Sequence, residues 1–154
     1  MIYYRMSAVK SVNKPPKYAE DKFRVVKTCL KTFVSAFADV KPKIHFILDN
    51  CGADYLEMVK EIVPFEFTHE FGTYGNYNSC LKQYNLAQVV EDEIFIFQED
   101  DYLWKEGVGK YYIEAIKELG IISPYDHPDF YNTEPFRSRQ EKIKLVNNWH
   151  WRTS

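Results

Sequence analysis

Apolar residues recur along this chain at two spacings, and the alternation between those spacings defines its elements. Residues 2–6 are a short apolar run of strand length. The polar stretch 7–20 follows, in which Pro15-Pro16 excludes a regular helix. Asp21 opens a helix whose apolar positions Phe23, Val26, Leu30, Phe33 and Phe37 recur every three or four residues, the period of one helical face. Lys41-Pro42 ends it, and residues 43–48 form a second strand stopping at Asp49. A turn at Asn50-Cys51-Gly52 leads to a helix over 53–62 with Leu56, Val59 and Ile62 inward, then to a third strand over 63–68. The glycine-containing loop 71–75 precedes a helix capped by Asn76 or Asn78, with Leu81, Tyr84 and Val90 as its apolar stripe. Residues 93–97 are the most apolar strand and run directly into the acids Glu99-Asp100-Asp101. A helix over 109–119 and a short strand at 121–122 follow, and 143–146 and 149–151 have strand character.

Strands that alternate with helices pair in parallel, because each crossover helix returns the chain to the same end of the sheet. The expected fold is α/β and Rossmann-like, a mostly parallel central sheet with helices on both faces. A chain of 154 residues fits one domain, with 1–120 as its core and 121–154 as a less regular appendage. Ligands of such sheets bind beyond the carboxyl ends of the strands, near the point where strand order reverses. Arg5, Asp49 and the acidic triplet all sit at such strand ends.

Composition narrows the function classes. With 45% hydrophobic and 27% charged residues the chain has a soluble globular balance. Aromatic residues reach 17%, enough both to fill a core and to line a sugar or nucleobase site. A net charge of −2 provides no basic excess to neutralise phosphates, so no nucleic-acid partner is expected. Cys29, Cys51 and Cys80 are widely spaced and odd in number, which gives neither a disulfide framework nor zinc spacing. The first residues do not resemble a signal peptide, and no apolar run approaches the roughly 18 residues that span a bilayer. The expectation is a cytoplasmic protein without a transmembrane segment.

The triplet is the most specific chemical feature. Hard divalent ions take oxygen ligands, usually one or two carboxylates together with phosphates and water. Adjacent acids at the end of a rigid strand suit that task, since consecutive side chains point opposite ways. One faces a metal while its neighbour accepts ribose hydroxyls. The competing explanation is turn chemistry, because Asp readily bonds its own backbone.

In ordered sequence these features resemble the nucleotide-binding half of GT-A fold glycosyltransferases, closest to the family 2 enzymes. The resemblance rests on Glu99-Asp100-Asp101 after the strand Ile94-Phe95-Ile96-Phe97, on Leu48-Asp49-Asn50-Cys51-Gly52-Ala53-Asp54, and on Gly75-Asn76-Tyr77-Asn78-Ser79 before the motif strand. It covers roughly residues 1–120, and the ordered set carries it rather than any one motif. It implies a Mn²⁺- or Mg²⁺-dependent transferase, inverting, that takes a nucleotide-diphosphate sugar, a UDP-sugar above all. The acceptor is an unidentified glycan, lipid-linked or protein group. It further implies that Asp49 accepts the N3–H of a uracil-like base, that Asp100 contacts ribose and that Asp101 ligates the metal. Glu99 supports them, and Tyr4 and Arg5 line the base and diphosphate pocket. For Asp49 the competing explanation is a capping or turn acid, and for Arg5 a surface ion pair. The second-strand motif departs from the family's usual Asp-Asp-Gly-Ser, which leaves the base identity open. Enzymes of this fold run well past this length, so the expectation is a minimal variant or the donor-binding portion of a longer enzyme.

Inverting transfer needs a carboxylate to take the acceptor's proton, and Asp126 and Asp129 in the irregular loop after the fifth strand are the candidates. His150, between two tryptophans, is the candidate additional metal ligand, while His45, His69 and His127 read as structural. Two other functions fit less of the pattern. A sugar-phosphate nucleotidyltransferase would want glycines after the first strand, where 7–17 has none. A non-catalytic nucleotide-sugar-binding module would need only the donor half.

Overall fold

The computed structural model describes residues 1–10, 20–91, 94–124 and 142–153. The chain divides into two compact units, Met1–Gly107 and Val108–Ser154, so the division falls before the last long helix instead of after it, as the sequence pattern suggested.

The first unit holds β1 (Ile2–Ser7), α1 (Lys22–Ala36), β2 (Ile44–Asp49), α2 (Ala53–Ile62), β3 (Phe67–Gly72), α3 (Gly75–Ala87) and β4 (Ile96–Glu99). Its four strands are all parallel, in the order β3-β2-β1-β4. This is the expected α/β arrangement, a Rossmann-like parallel sheet flanked by helices. The central strands β1 and β2 are buried nearly throughout, which is why they read as continuous apolar runs. Strand order reverses at β1, because β2 lies on one side of it and β4 on the other.

Alternate residues of β1 distribute the helices. Tyr4 meets Phe33 of α1 edge-on at 5.0 Å and leans on Phe46, while α1 packs beside α2. Tyr3 points the other way, its hydroxyl donating to the Leu86 carbonyl of α3 at 3.1 Å. Of the expected α1 stripe Val26, Leu30, Phe33 and the C-cap Phe37 are buried, joined by Cys29 and Ala36, while Phe23 is half-buried; Asp21 caps the Arg24 N–H at 3.0 Å. On α2 the buried face is Tyr55, Met58 and Val59, rotated from the expected Leu56, Val59 and Ile62.

Three expectations shift. β3 starts at Phe67 because Pro64 has no N–H to give a ladder, and the strand continues through His69. β4 starts at Ile96, where Ile96 and Gln98 come into register with Ile2 and Tyr4, so Glu99 belongs to the strand. The α3 stripe is reversed: Leu81, Tyr84 and Val90 are exposed, and the buried positions are Ser79 and Gln83. The Gln83 amide donates to the carbonyls of Tyr3 at 2.8 Å and Gln98 at 3.1 Å, fixing the helix across β1 and β4 by hydrogen bonds.

The second unit holds α4 (Gly109–Leu119), β5 (Ile122–Ser123), β6 (Lys142–Val146) and β7 (Trp149–Thr153), its strands antiparallel in the order β5-β7-β6. Tyr112 stacks on the buried Trp151 at 5.4 Å, and the Trp151 indole donates to the Val146 carbonyl. Asn147 and Asn148, with φ of 53° and 64°, make the two-residue turn between β6 and β7. Two positive φ values are the mark of a type I′ hairpin, and asparagine tolerates them. Among the described residues no helix is long and apolar enough to cross a membrane.

Candidate functional site

The strand register brings the predicted residues to one end of the sheet. Ser7 lies beside Asp49, and Arg5 beside Glu99, so the ends of β2, β1 and β4 form a continuous edge at the reversal of strand order.

Arg5 is buried and bridges three elements. Its guanidinium donates to the Asn76 carbonyl at 2.6 Å, the Asn76 side-chain oxygen at 2.7 Å and Ser79 Oγ at 3.1 Å, all on the first turn of α3. Its other terminal nitrogen pairs with Glu99 Oε1. Arg5 thus ties β1, β4 and α3 together, which is neither the surface ion pair nor the open diphosphate contact considered for it. Glu99 remains 39% exposed while holding Arg5 from the strand end.

Asp49 is a capping acid, but of a distant helix. Its Oδ1 accepts the N–H groups of Tyr74 at 2.6 Å and Gly75 at 3.2 Å, at the start of α3, and the Asn50 amide at 3.0 Å. A carboxylate is well placed there, because the first turn of a helix presents unsatisfied N–H groups and a partial positive charge. α3 has no side-chain cap of its own, so Asp49 supplies what Asn76 and Asn78 were expected to give. At 2% exposure Asp49 does not face an open base pocket. The reading of Tyr4 as a pocket wall also changes, since its ring is completely buried between Phe33 and Phe46. Its hydroxyl has no hydrogen-bond partner among the described residues, and burial with the nearby charge of Asp100 drives its pKa upward.

The two aspartates after β4 differ sharply. Asp100 is buried, with Oδ2 accepting the Ser7 N–H at 2.8 Å and Oδ1 paired with Lys22 Nζ at 2.7 Å. Desolvation raises its pKa, against the opposing pull of Lys22 and the Ser7 N–H. Asp101, the next residue, is exposed in the turn. Lys22 did not stand out in the sequence, although a signal existed. A lysine at the first helical position opposes the helix dipole, so it calls for a carboxylate partner. Burial pushes the Cys29 thiol up to about 11 and the Cys51 thiol up to about 12, away from the reactive thiolate.

His150 is exposed on β7 of the second unit, opposite Leu145. Asp126 and Asp129 lie outside the described residues. Among the described residues no group of three His, Cys, Asp or Glu side chains is arranged to hold a metal ion. At the rim Asp101 is the exposed carboxylate beside the anchored Asp100, fewer side chains than an ion held by the protein alone would need. No protein-family model, curated protein or solved structure matches the chain.

Proposed function

We propose that Met1–Gly107 is the donor-binding unit of a GT-A-type glycosyltransferase that takes a nucleotide-diphosphate sugar, a UDP-sugar above all, with Mn²⁺ or Mg²⁺. The observation that carries this reading is the exposed Asp101, set directly after the anchored Asp100 at the point where a parallel sheet reverses its strand order. Asp101 would hold the ion, with phosphate oxygens and water completing its shell. When bound, that ion compensates the charge that develops on the leaving diphosphate.

The chain's own residues supply the rigidity this needs. Arg5 and Glu99 lock the end of β4 to β1, and Ser7 and Lys22 fix Asp100, so Asp101 leaves the sheet from a fixed point. In the transfer the bond from the sugar's anomeric carbon to the diphosphate oxygen breaks. A bond to the acceptor oxygen forms, and the acceptor's proton passes to a carboxylate, for which Asp126 and Asp129 are the proposed candidates. Inversion of the anomeric centre follows from a single displacement.

A donor-binding module without transfer is the second reading. It is favoured by the commitment of Arg5, Glu99, Asp49 and Asp100 to hydrogen bonds within the chain, which leaves Asp101 to meet the ligand. One experiment addresses both. UDP with Mn²⁺ should raise the melting temperature, and Asp101→Ala should remove the metal-dependent part of the rise. No shift with any nucleoside diphosphate would sink the assignment. Slow release of UDP from a UDP-sugar distinguishes the enzyme from the binding module.

A further inference from the structure

Beneath α3, away from the acidic turn, His45, Glu70 and Lys82 form a second charged cluster. His45 on β2 and Thr68 on β3 are register partners, and His45 Nδ1 shares a 2.7 Å hydrogen bond with Thr68 Oγ1. Glu70 lies two residues further along β3, on the same face of the sheet, and is the diagonal neighbour of His45. Lys82 of α3 reaches Glu70 Oε2 at 3.2 Å, and its ammonium lies over the Tyr74 ring, 5.3 Å from the centroid. The edge of Tyr3, on β1, closes the other side of the imidazole at 6.0 Å. Two atoms of the cluster are enclosed without a hydrogen-bond partner among the described residues, His45 Nε2 and Glu70 Oε1. Of the charged groups around the ring, Glu70 favours its protonation most, whereas Lys82 opposes it. So does His69, on the opposite face of β3.

We propose that His45 is a proton-operated latch on α3: once protonated, its imidazolium takes Glu70 from Lys82 and frees the helix from β3. The proposal stands apart from the donor-binding reading.

The physical argument is competition for one carboxylate. While the ring is neutral, Glu70 belongs to Lys82, and the pair ties α3 to β3. A proton from solvent makes both ring nitrogens donors, Nδ1 to Thr68 Oγ1 and Nε2 to the waiting Glu70 Oε1. The cluster then holds two cations against one anion, and like charges at close range repel. His45 is fixed on a central strand by Thr68 and Tyr3. Lys82 is the cation able to leave, because its stem is flexible, its ammonium is strongly hydrated and its side chain is already 32% exposed. Its departure also removes the cation from Tyr74, whose N–H, with that of Gly75, meets the Asp49 cap. The first turn of α3 holds Arg5 through Asn76 and Ser79, so a loosened α3 relaxes the frame of the rim. Desolvation lowers the His45 pKa from its ordinary 6.5, so the latch is closed at neutral pH and opens as pH falls below that value.

The test is hydrogen exchange of the α3 amides in the full chain, corrected for the intrinsic effect of pH, from about pH 7.5 down to about pH 5. In the wild type, α3 protection should fall about fivefold or more across this range while that of α1 holds. His45→Gln should keep its protection throughout, and Lys82→Met should start lower and stay level with pH. Nuclear magnetic resonance of the His45 ring supplies a readout that a merely structural role would not move. Glu70→Gln should lower its titration midpoint and Lys82→Met should raise it, each by about half a unit or more. Should Lys82→Met fold poorly, the Glu70→Gln titration and the His45→Gln exchange profile decide alone. Wild-type protection of α3 that holds across the range overturns the proposal, as does an equal fall in His45→Gln. A His45 midpoint unmoved by Glu70→Gln overturns it as well.

Discussion

Replacing Asp49 separates a cap from a ligand contact. Its Oδ1 takes two backbone N–H groups at the start of α3, but the two are unequal. The Tyr74 bond is short, at 2.6 Å, and half-buried, whereas the Gly75 bond is 3.2 Å long at an exposed residue whose N–H water can satisfy. Asp49→Ala therefore loses one strong charge-assisted bond, about 2 kcal/mol, and leaves the second largely compensated by solvent. The lost carboxylate at a helix N-terminus adds about 1 kcal/mol, for a total of about 3 kcal/mol. Asp49→Asn keeps an oxygen of the same shape in place and loses only the charge, so its cost should be about 1 kcal/mol.

Because two compact units need not unfold together, a single melting curve is a blunt measure here. Hydrogen exchange of the α3 amides reads the affected helix directly. Asp49→Ala should speed exchange across the first turns of α3, and Asp49→Asn should do so far less. An Asp49→Ala chain within about 0.5 kcal/mol of the wild type would refute the capping argument, since only surface positions are that tolerant. If that same chain lost UDP affinity, Asp49 would be a base contact after all.

Three other outcomes follow from particular atoms. Tyr4→Phe removes a buried hydroxyl that has no partner among the described residues, so stability should stay level or rise by about 1 kcal/mol; a fall of that size in urea denaturation would reveal a bond to that hydroxyl. His45 is half-buried, its Nδ1 sharing a 2.7 Å hydrogen bond with Thr68 Oγ1, and desolvation lowers its pKa from the ordinary 6.5. The unfolded chain then binds this proton more readily than the folded one, so the contribution is present above pH 6.5 and lost as pH falls toward the lower folded value. His45→Gln should flatten that decline in the pH profile of stability, and an unchanged slope would assign it to other groups. In the hairpin turn, Asn148→Ala should cost about 1 kcal/mol because alanine resists positive φ, whereas Asn148→Gly should be neutral or better; equal exchange rates for the β6–β7 amides in the two variants would contradict a type I′ turn.

How far the sequence could be read depends on what each residue does to hold its place. The stripe on α1 was visible because Val26, Leu30 and Phe33 meet the sheet through apolar contact, and apolar contact leaves a period. α3 reaches the same sheet through Ser79 and Gln83, which bond Arg5 and two strand carbonyls. A helix that docks by satisfied polar groups leaves no hydrophobic period on its buried face, so Leu81 and Tyr84 drew attention to the exposed one. Pairing across the sheet follows the same rule. The positions of Asp49, Arg5 and Asp100 at strand ends were legible, but their partners Tyr74, Glu99 and Lys22 lie 25, 94 and 78 residues away in the chain. No local pattern encodes a contact at that separation.

The same distinction sharpens the reading of the acidic triplet. As sequence, its three acids took separate roles only through the resemblance: Asp101 for the metal, Asp100 for ribose and Glu99 in support. Folded, Glu99 answers Arg5 and Asp100 answers Lys22 and Ser7. Asp101 is the exposed acid, with no ion pair among the described residues. A ligand meets first the charge that the fold has not already neutralised, so Asp101 is the point of contact and its two neighbours are the frame that aims it. Lys22 and the Ser7 N–H hold Asp100 in that frame, so the chain passes from Asp100 to Asp101 at a fixed point.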